Sequence, residues 1–300
     1  MDVLVTGSSG LVGTALVPAL ADAGHRPVRL VRRDPTGADE LRWDPAAGRI
    51  DAGGLEGIGA VVHLAGVGIG DKKWTDARKR EILASRVTGT TLLAETLAGL
   101  TTKPAVLVSA SGVDYYGARR DEVLTEESPP GDGFLTEVCE AWEAATQPAE
   151  DAGIRVVRIR TGPVLSGAGG LLKRLLLPFK LGLGGRVGTG DQYMSWIAID
   201  DHVGAVLHLL GSEVSGPVNL TAPNPATNVE FTKALGRVLK RPTTIPTPLF
   251  PLKILYGAEL VESLLVTGQR VAPARLEASG YQFRYDQLEQ ALRGVLDKPA

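Results

Sequence analysis

Asp2-Val3-Leu4-Val5-Thr6-Gly7-Ser8-Ser9-Gly10-Leu11-Val12-Gly13 decides how this chain is read. Val3 to Val5 is a short apolar strand that runs directly into a glycine-rich turn, and Leu16, Val17 and Leu20 follow at helical spacing. Each glycine has a task in such a unit: Gly7 turns the chain off the strand, Gly10 lets a pyrophosphate approach the backbone, and Gly13 lets the helix pack close to the sheet. The free N–H groups of Ser9, Gly10, Leu11 and Val12, at the positive end of the helix dipole, then suit phosphate oxygens. A glycine triplet alone is weak, but its place after a strand and before a helix meets the test of context. The stretch therefore predicts a dinucleotide-binding turn.

Beyond it, strands and helices alternate. Pro27–Arg32, Ala60–Leu64, Ala105–Ser109 and Val156–Arg160 read as strands, and about 75–100 and 133–152 as helices. Short apolar runs split by helices of this length predict parallel strands with right-handed crossovers. The expected fold is thus α/β, a Rossmann-type doubly wound parallel sheet. Residues 1–165 form its nucleotide-binding domain. Residues 166–300, Gly- and Pro-punctuated with helices near 201–210 and 230–239, form a smaller mixed substrate lobe, some of whose elements return to the sheet.

With 300 residues at 44% hydrophobic content, the chain can bury a large core. A net charge of −2 without a basic run gives no reason to expect nucleic acid or a membrane surface as partner. No apolar run approaches the roughly 18 residues of a spanning helix, and the opening residues lack a signal-peptide pattern. The single cysteine, Cys139, excludes an internal disulfide. A cytoplasmic protein is the expectation. The four histidines make no metal-ligand pattern with Cys139, no Gly-x-Ser-x-Gly elbow is present, and Asp114, Asp121, Glu122, Glu126 and Glu127 read as a solvated acidic loop.

The end of the second strand chooses between nicotinamide cofactors, because a carboxylate there receives ribose hydroxyls whereas arginine pairs with a 2′-phosphate. Arg32 and Arg33 precede any acidic residue, so NADP(H) is expected. Arg32, immediately after the apolar run, is the better candidate; a solvated loop charge is the plain alternative for Arg33.

TGSSGLVG, VVHLAG, RVTGTTLL, LVSASGVDYYG and RIRTGPVLSG together resemble extended short-chain dehydrogenases/reductases. KWTDARKREILASRVTGT, GFLTEVCEAWE, GLGGRVGTGDQYMSWIAIDD, GPVNLTAPNPATNVEF and the segment from Leu264 to Leu292 narrow the resemblance to an atypical, sugar-nucleotide-epimerase-like branch. It spans nearly the whole chain. The resemblance implies that Leu64, Ala65, Gly66, Ser109, Pro163 and Val164 line the cofactor, and that Ser111 contacts a substrate hydroxyl or carbonyl. It places Arg86 where most relatives carry asparagine. Most relatives also hold a tyrosine and a lysine four apart on one helix; here Leu135 and Cys139 take those places, with Glu143 next along the face. Cys139 is read as pocket lining first and as a catalytic group second. Tyr115 and Tyr116 are candidate surrogate acids or aromatic walls, and Arg186, Gln192, Tyr193 and Trp196 candidate substrate contacts. Two functions follow. One is an NADP(H)-dependent oxidoreductase or epimerase-like enzyme for a small polar or nucleotide-bearing substrate, using Ser111, Tyr116 and Arg86, with an oligomer allowed. The other is an NADP(H)-binding sensor or interaction protein, for example in cell division, whose catalytic pair has been lost.

Overall fold

The computed structural model describes residues 1–298 and places the opening stretch in strand β1 (Asp2–Thr6) and helix α1 (Leu11–Asp22). The sheet continues with β2 (Arg26–Val31), β3 (Glu40–Asp44), β4 (Arg49–Ile50), β5 (Ala60–His63), β6 (Val106–Gly112), β7 (Arg155–Thr161) and β8 (Gly216–Leu220). Their order in space is β8-β7-β6-β5-β1-β2-β3-β4, parallel throughout except at β3–β4. This is the doubly wound sheet expected from the alternation of strands and helices. Its connections reverse direction between β1 and β5, which opens a crevice at the carboxyl ends of those two strands.

Strand periodicity explains the two packed faces. Val3, Val5, Val62, Val108 and Ile159 face Leu16 and Leu20 of α1, together with Val206 and Leu209 of a later helix (Ile199–Gly211). Leu4, Val61, Leu107 and Val156 face the other way, onto Leu93 and Leu97 of α2 (Asp76–Gly99). A third apolar cluster gathers Trp196, Phe231, Leu235 and Leu292 from the later part of the chain.

Three departures have local causes. The helix expected over 133–152 is divided into α3 (Phe134–Ala144) and α4 (Gln147–Asp151), because Pro148 cannot donate a main-chain bond and is tolerated only in the first turn of a new helix. The edge strands β3 and β4 were not legible, since Glu40 is a buried carboxylate that makes the pattern of Glu40-Leu41-Arg42-Trp43-Asp44 look like a loop. Gly216–Leu220, opening on Gly-Pro, is likewise a sheet strand that apolar runs do not announce.

A buried polar chain pins the carboxyl ends of β1 and β5 to both helices on that face. Thr6 Oγ1 lies 2.7 Å from His63 Nδ1, and His63 Nε2 lies 2.9 Å from Thr90 Oγ1. Thr90 donates to the Arg86 carbonyl at 2.7 Å and accepts from Trp142 Nε1 at 3.0 Å. Proton counting then assigns the tautomer. The Thr90 proton is committed, so His63 carries its own on Nε2; Nδ1 accepts from Thr6, whose oxygen receives the Leu64 and Ala65 amides. Burial pushes the His63 imidazole down to about 4.

Replacing Thr90 with valine leaves the Trp142 and His63 N–H groups without their acceptor. The expected loss is about 1–3 kcal/mol in urea melts; a change within about 0.5 kcal/mol would mean that the chain is not satisfied in this way. Nitrogen-15 shifts should show His63 neutral and Nε2-protonated down to about 4, whereas titration at 6.5 would contradict the buried chain.

Candidate functional site

The glycine turn lies in the crevice between β1 and β5. Gly7 has φ +65°, and a Cβ there would meet the Leu64 carbonyl carbon at 2.8 Å; a Cβ on Gly13 would meet the Gly7 oxygen at 2.3 Å. Helix and turn therefore fit together only without side chains at these two positions. Gly10 caps α1 in an extended conformation, with no side-chain cap and no acidic residue in the first turn. The amides from Leu11 onward thus present positive charge to the crevice with no side-chain acceptor. Such an end, beside exposed Ser9, suits a diphosphate.

At the end of β2 the two arginines behave differently. Arg33 pairs with buried Glu40, whose carboxylate also takes the Thr36 amide at 2.7 Å and is held down at about 2 by these contacts. Arg33 thus shares its charge with Glu40 while its side chain stays 53% exposed. Arg32 is exposed and has no hydrogen-bond or ion-pair partner among the described residues. Its free guanidinium and the uncapped helix form a donor set that fits a dinucleotide with a 2′-phosphate.

On the other side of the crevice, β6 delivers Ser111 to α3. Ser111 Oγ donates to Glu143 Oε1 at 2.7 Å, and Arg160 from β7 grips both Glu143 oxygens, Nε to Oε1 at 2.8 Å and the guanidinium to Oε2 at 2.9 Å. Arg160 also donates to the Tyr116 hydroxyl at 3.0 Å and stacks 3.4 Å from the Tyr115 ring centre. Tyr116 in turn donates to Asn219 Oδ1 at 2.7 Å and is fully buried. Burial pushes its phenol up, against the pull of Arg160. The reading of Tyr116 as a surrogate acid does not fit this arrangement: its proton is committed and solvent is excluded.

Cys139 lies beside Ser111 and Gly112, and burial pushes its thiol up to about 12, with Asp114 and Glu143 adding to the effect. Its thiol is therefore neutral near neutral pH, which does not fit the catalytic reading of Cys139. Arg86, on α2, lies against Gly66 and 4.8 Å from the Trp142 ring centre, and donates to the Ile82 carbonyl at 3.1 Å. Its remaining donors have no protein acceptor among the described residues, so the cation faces the cleft.

Pro163 and Val164 follow β7, with Val164 paired to Ile197; Ser109 is buried with its hydroxyl unpartnered. Trp196 is not a substrate contact. It is fully buried in the lobe core and donates to the Asn224 carbonyl at 3.1 Å. Gln192 bonds the Val187 and Leu265 carbonyls, Arg186 the carbonyls of Gly188 and Thr189, and Tyr193 lies under Arg270, all structural roles.

The supposed solvated acidic loop is divided. Asp121, Glu122 and Glu127 are exposed. Glu126 is buried and accepts the Asn219 amide at 2.9 Å, while Asp114 faces Arg86 and Cys139 in the cleft. Asp114, Arg160 and Asn219 were missed because no local spacing marks them. The one available signal was that Asp114 follows Ser111 by three residues at the carboxyl end of a sheet strand.

Residues 3–221 match the NAD dependent epimerase/dehydratase family, and residues 247–295 match a domain of unknown function (DUF1731). The chain is similar to the epimerase family protein Mb2239 of Mycobacterium bovis, 44% identical over 298 residues that cover 99% of this chain and 98% of that one. It is 38% identical to the human epimerase family protein SDR39U1 over 300 residues, covering 99% and 100%. A crystal structure of human SDR39U1 (isoform 2) with NADPH superposes with TM-score 0.90 at 36% identity, covering 99% of each chain. A nucleoside-diphosphate sugar epimerase from Corynebacterium glutamicum gives 0.79 at 39% identity, covering 99% of this chain and 58% of that one.

With its thiol at about 12, Cys139 should resist iodoacetamide in the native protein and react fully in urea. Cys139→Ser should retain nicotinamide-coenzyme affinity within about twofold by titration calorimetry. Rapid native alkylation would refute the neutral-thiol assignment.

Proposed function

This chain belongs to the NAD dependent epimerase/dehydratase family, and from that premise we propose that it is an NADP(H)-dependent, epimerase-like oxidoreductase acting on a small polar or nucleotide-bearing substrate. The observation that carries the coenzyme choice is the contrast between Arg33, neutralised by Glu40, and Arg32, left free beside the uncapped start of α1. The human relative crystallised with NADPH supports the same choice. A bound nicotinamide supplies or accepts hydride. The crevice amides hold the diphosphate, Arg32 the 2′-phosphate, and Leu64, Ala65, Gly66, Ser109, Pro163 and Val164 line the remainder.

Ser111 and Arg86 act at the substrate. Because the Ser111 proton goes to Glu143, its oxygen is free to accept from a substrate hydroxyl, and rotation is required before it donates to a carbonyl. Arg86, with donors unspent, stabilises negative charge on the reacting oxygen. No helix among the described residues is long and apolar enough to cross a membrane.

A second reading, a coenzyme-binding sensor or interaction protein, is favoured by one observation. The face of α3 that meets the site offers Leu135 and a neutral Cys139, neither of which exchanges protons near neutral pH. Turnover separates the readings: a screen of carbonyl compounds for NADPH oxidation should find a substrate for an enzyme and none for a sensor.

Arg32→Ala should weaken NADPH binding by about 10- to 100-fold, the value of one charge-assisted phosphate contact, and leave NADH affinity within about twofold. Equal losses for both coenzymes in calorimetry would remove the phosphate assignment.

A further inference from the structure

Reduction or oxidation at a carbon–oxygen bond needs a group that exchanges a proton with the oxygen. Most titratable or hydroxyl groups at the substrate end are already committed. The Ser111 proton belongs to Glu143, both Glu143 oxygens are held by Arg160, and Tyr116 is buried between Asn219 and Arg160. The Cys139 thiol is too weak an acid.

Asp114 is different. It stands in the 3-10 turn Val113–Tyr116 that leaves the carboxyl end of β6, three residues after Ser111. Thr136 of α3 anchors the Asp114 carbonyl at 2.9 Å and so fixes the turn. The side chain folds back over Gly112: a Cβ on that glycine would meet Asp114 Oδ2 at 3.5 Å and Cys139 Sγ at 3.6 Å. Arg86 faces it from α2, with Arg78 beyond, and Cys139 faces it from α3, with Glu143 further along the same helix. Among the described residues, the only donor to its carboxyl is its own amide, although the residue is partly buried. A carboxyl so placed has lone pairs to spare.

From this convergence we propose that Asp114 is the proton-exchanging group of the site, working beside Ser111 and Arg86. The proposal rests on the coenzyme-dependent reading above. In reduction, the substrate carbonyl carbon gains hydride from the reduced coenzyme and the π pair moves onto oxygen. That oxygen takes the proton of the Asp114 carboxyl, and the carboxylate regains a proton from water. Oxidation reverses each transfer, with the carboxylate as base. Burial pushes the Asp114 carboxyl up to about 6, against the opposing pull of Arg86, which puts both protonation states within reach near neutral pH.

A carboxyl that works beside the hydride centre must respond to the charge of the nicotinamide, which is positive when oxidised and neutral when reduced. Calorimetry in two buffers of different ionisation heat, at a pH of about 6, measures this directly. Both coenzymes share whatever proton the 2′-phosphate releases on Arg32, so the readout is the difference: NADP+ binding should release part of a proton more than NADPH binding, and the ratio of NADP+ to NADPH affinity should rise with pH by up to about tenfold per unit. Asp114→Asn should abolish both effects, while Asp121→Asn, at an exposed position in the following loop, should keep them. A difference in proton release between the two coenzymes that survives in Asp114→Asn, or is absent from the unaltered protein, overturns the proposal. Failure of either coenzyme to bind the unaltered protein defeats the coenzyme reading itself, and this proposal with it. If Asp114→Asn does not fold, carbon-13 titration of the unaltered protein decides: an Asp114 carboxyl that shifts downward from about 6 with NADP+ supports the assignment, and an unmoved one refutes it.

Discussion

The hydrogen-bond chain from Thr6 through His63 to Thr90 holds the crevice in register. β1 and β5 are adjacent in the sheet, but their carboxyl-end loops diverge, one into the glycine turn and the other toward Gly66. Thr6 closes the gap by receiving the Leu64 and Ala65 amides at 3.0 and 3.2 Å while giving its own proton to His63. His63 passes the constraint to α2, and Thr90 passes it to Trp142 of α3. Each member has one proton to give and spends it once. A chain satisfied in this way costs little to bury, whereas a single missing partner would strand a polar atom in the core.

A second constraint sits across the crevice, where Glu143 and Arg160 are both nearly buried. Taking such a pair out of water is expensive, so a pair of this kind contributes little net stability even when its geometry is good. Here three of the five guanidinium N–H donors and both carboxylate oxygens are engaged: two contacts join guanidinium and carboxylate, Tyr116 receives a third arginine donor, and Ser111 fills a further carboxylate site. Ser111 and Tyr116 each have their proton assigned, while Arg86 keeps free donors and Asp114 free acceptors.

The coenzyme side follows the same logic. Two neighbouring arginines differ in availability because the edge strand β3 brings a buried carboxylate to one of them. Glu40 lies seven residues after Arg33, close in sequence, yet their pairing requires β3 to lie alongside β2. Without that edge strand both cations would be solvated, and nothing would distinguish them.

What the sequence determined alone was local in origin. A strand, a glycine turn and a helix follow from residue types within a dozen positions, and so does the alternation that builds the sheet, because backbone geometry and apolar periodicity act over one or two turns. Arg32 was singled out by its place at the end of an apolar run, whereas Ser111 and Arg86 were singled out by the family resemblance and not by local spacing. Only the tertiary structure decided which of these side chains remain free. Tyr116 gives its proton to Asn219, 103 positions away; buried Glu126 accepts from the amide of that same residue, 93 positions away; Asp114 leaves an apparently solvated loop to face α2 and α3. Protonation and availability depend on partners and burial, which the chain acquires only when distant segments meet, and no spacing within a motif encodes them.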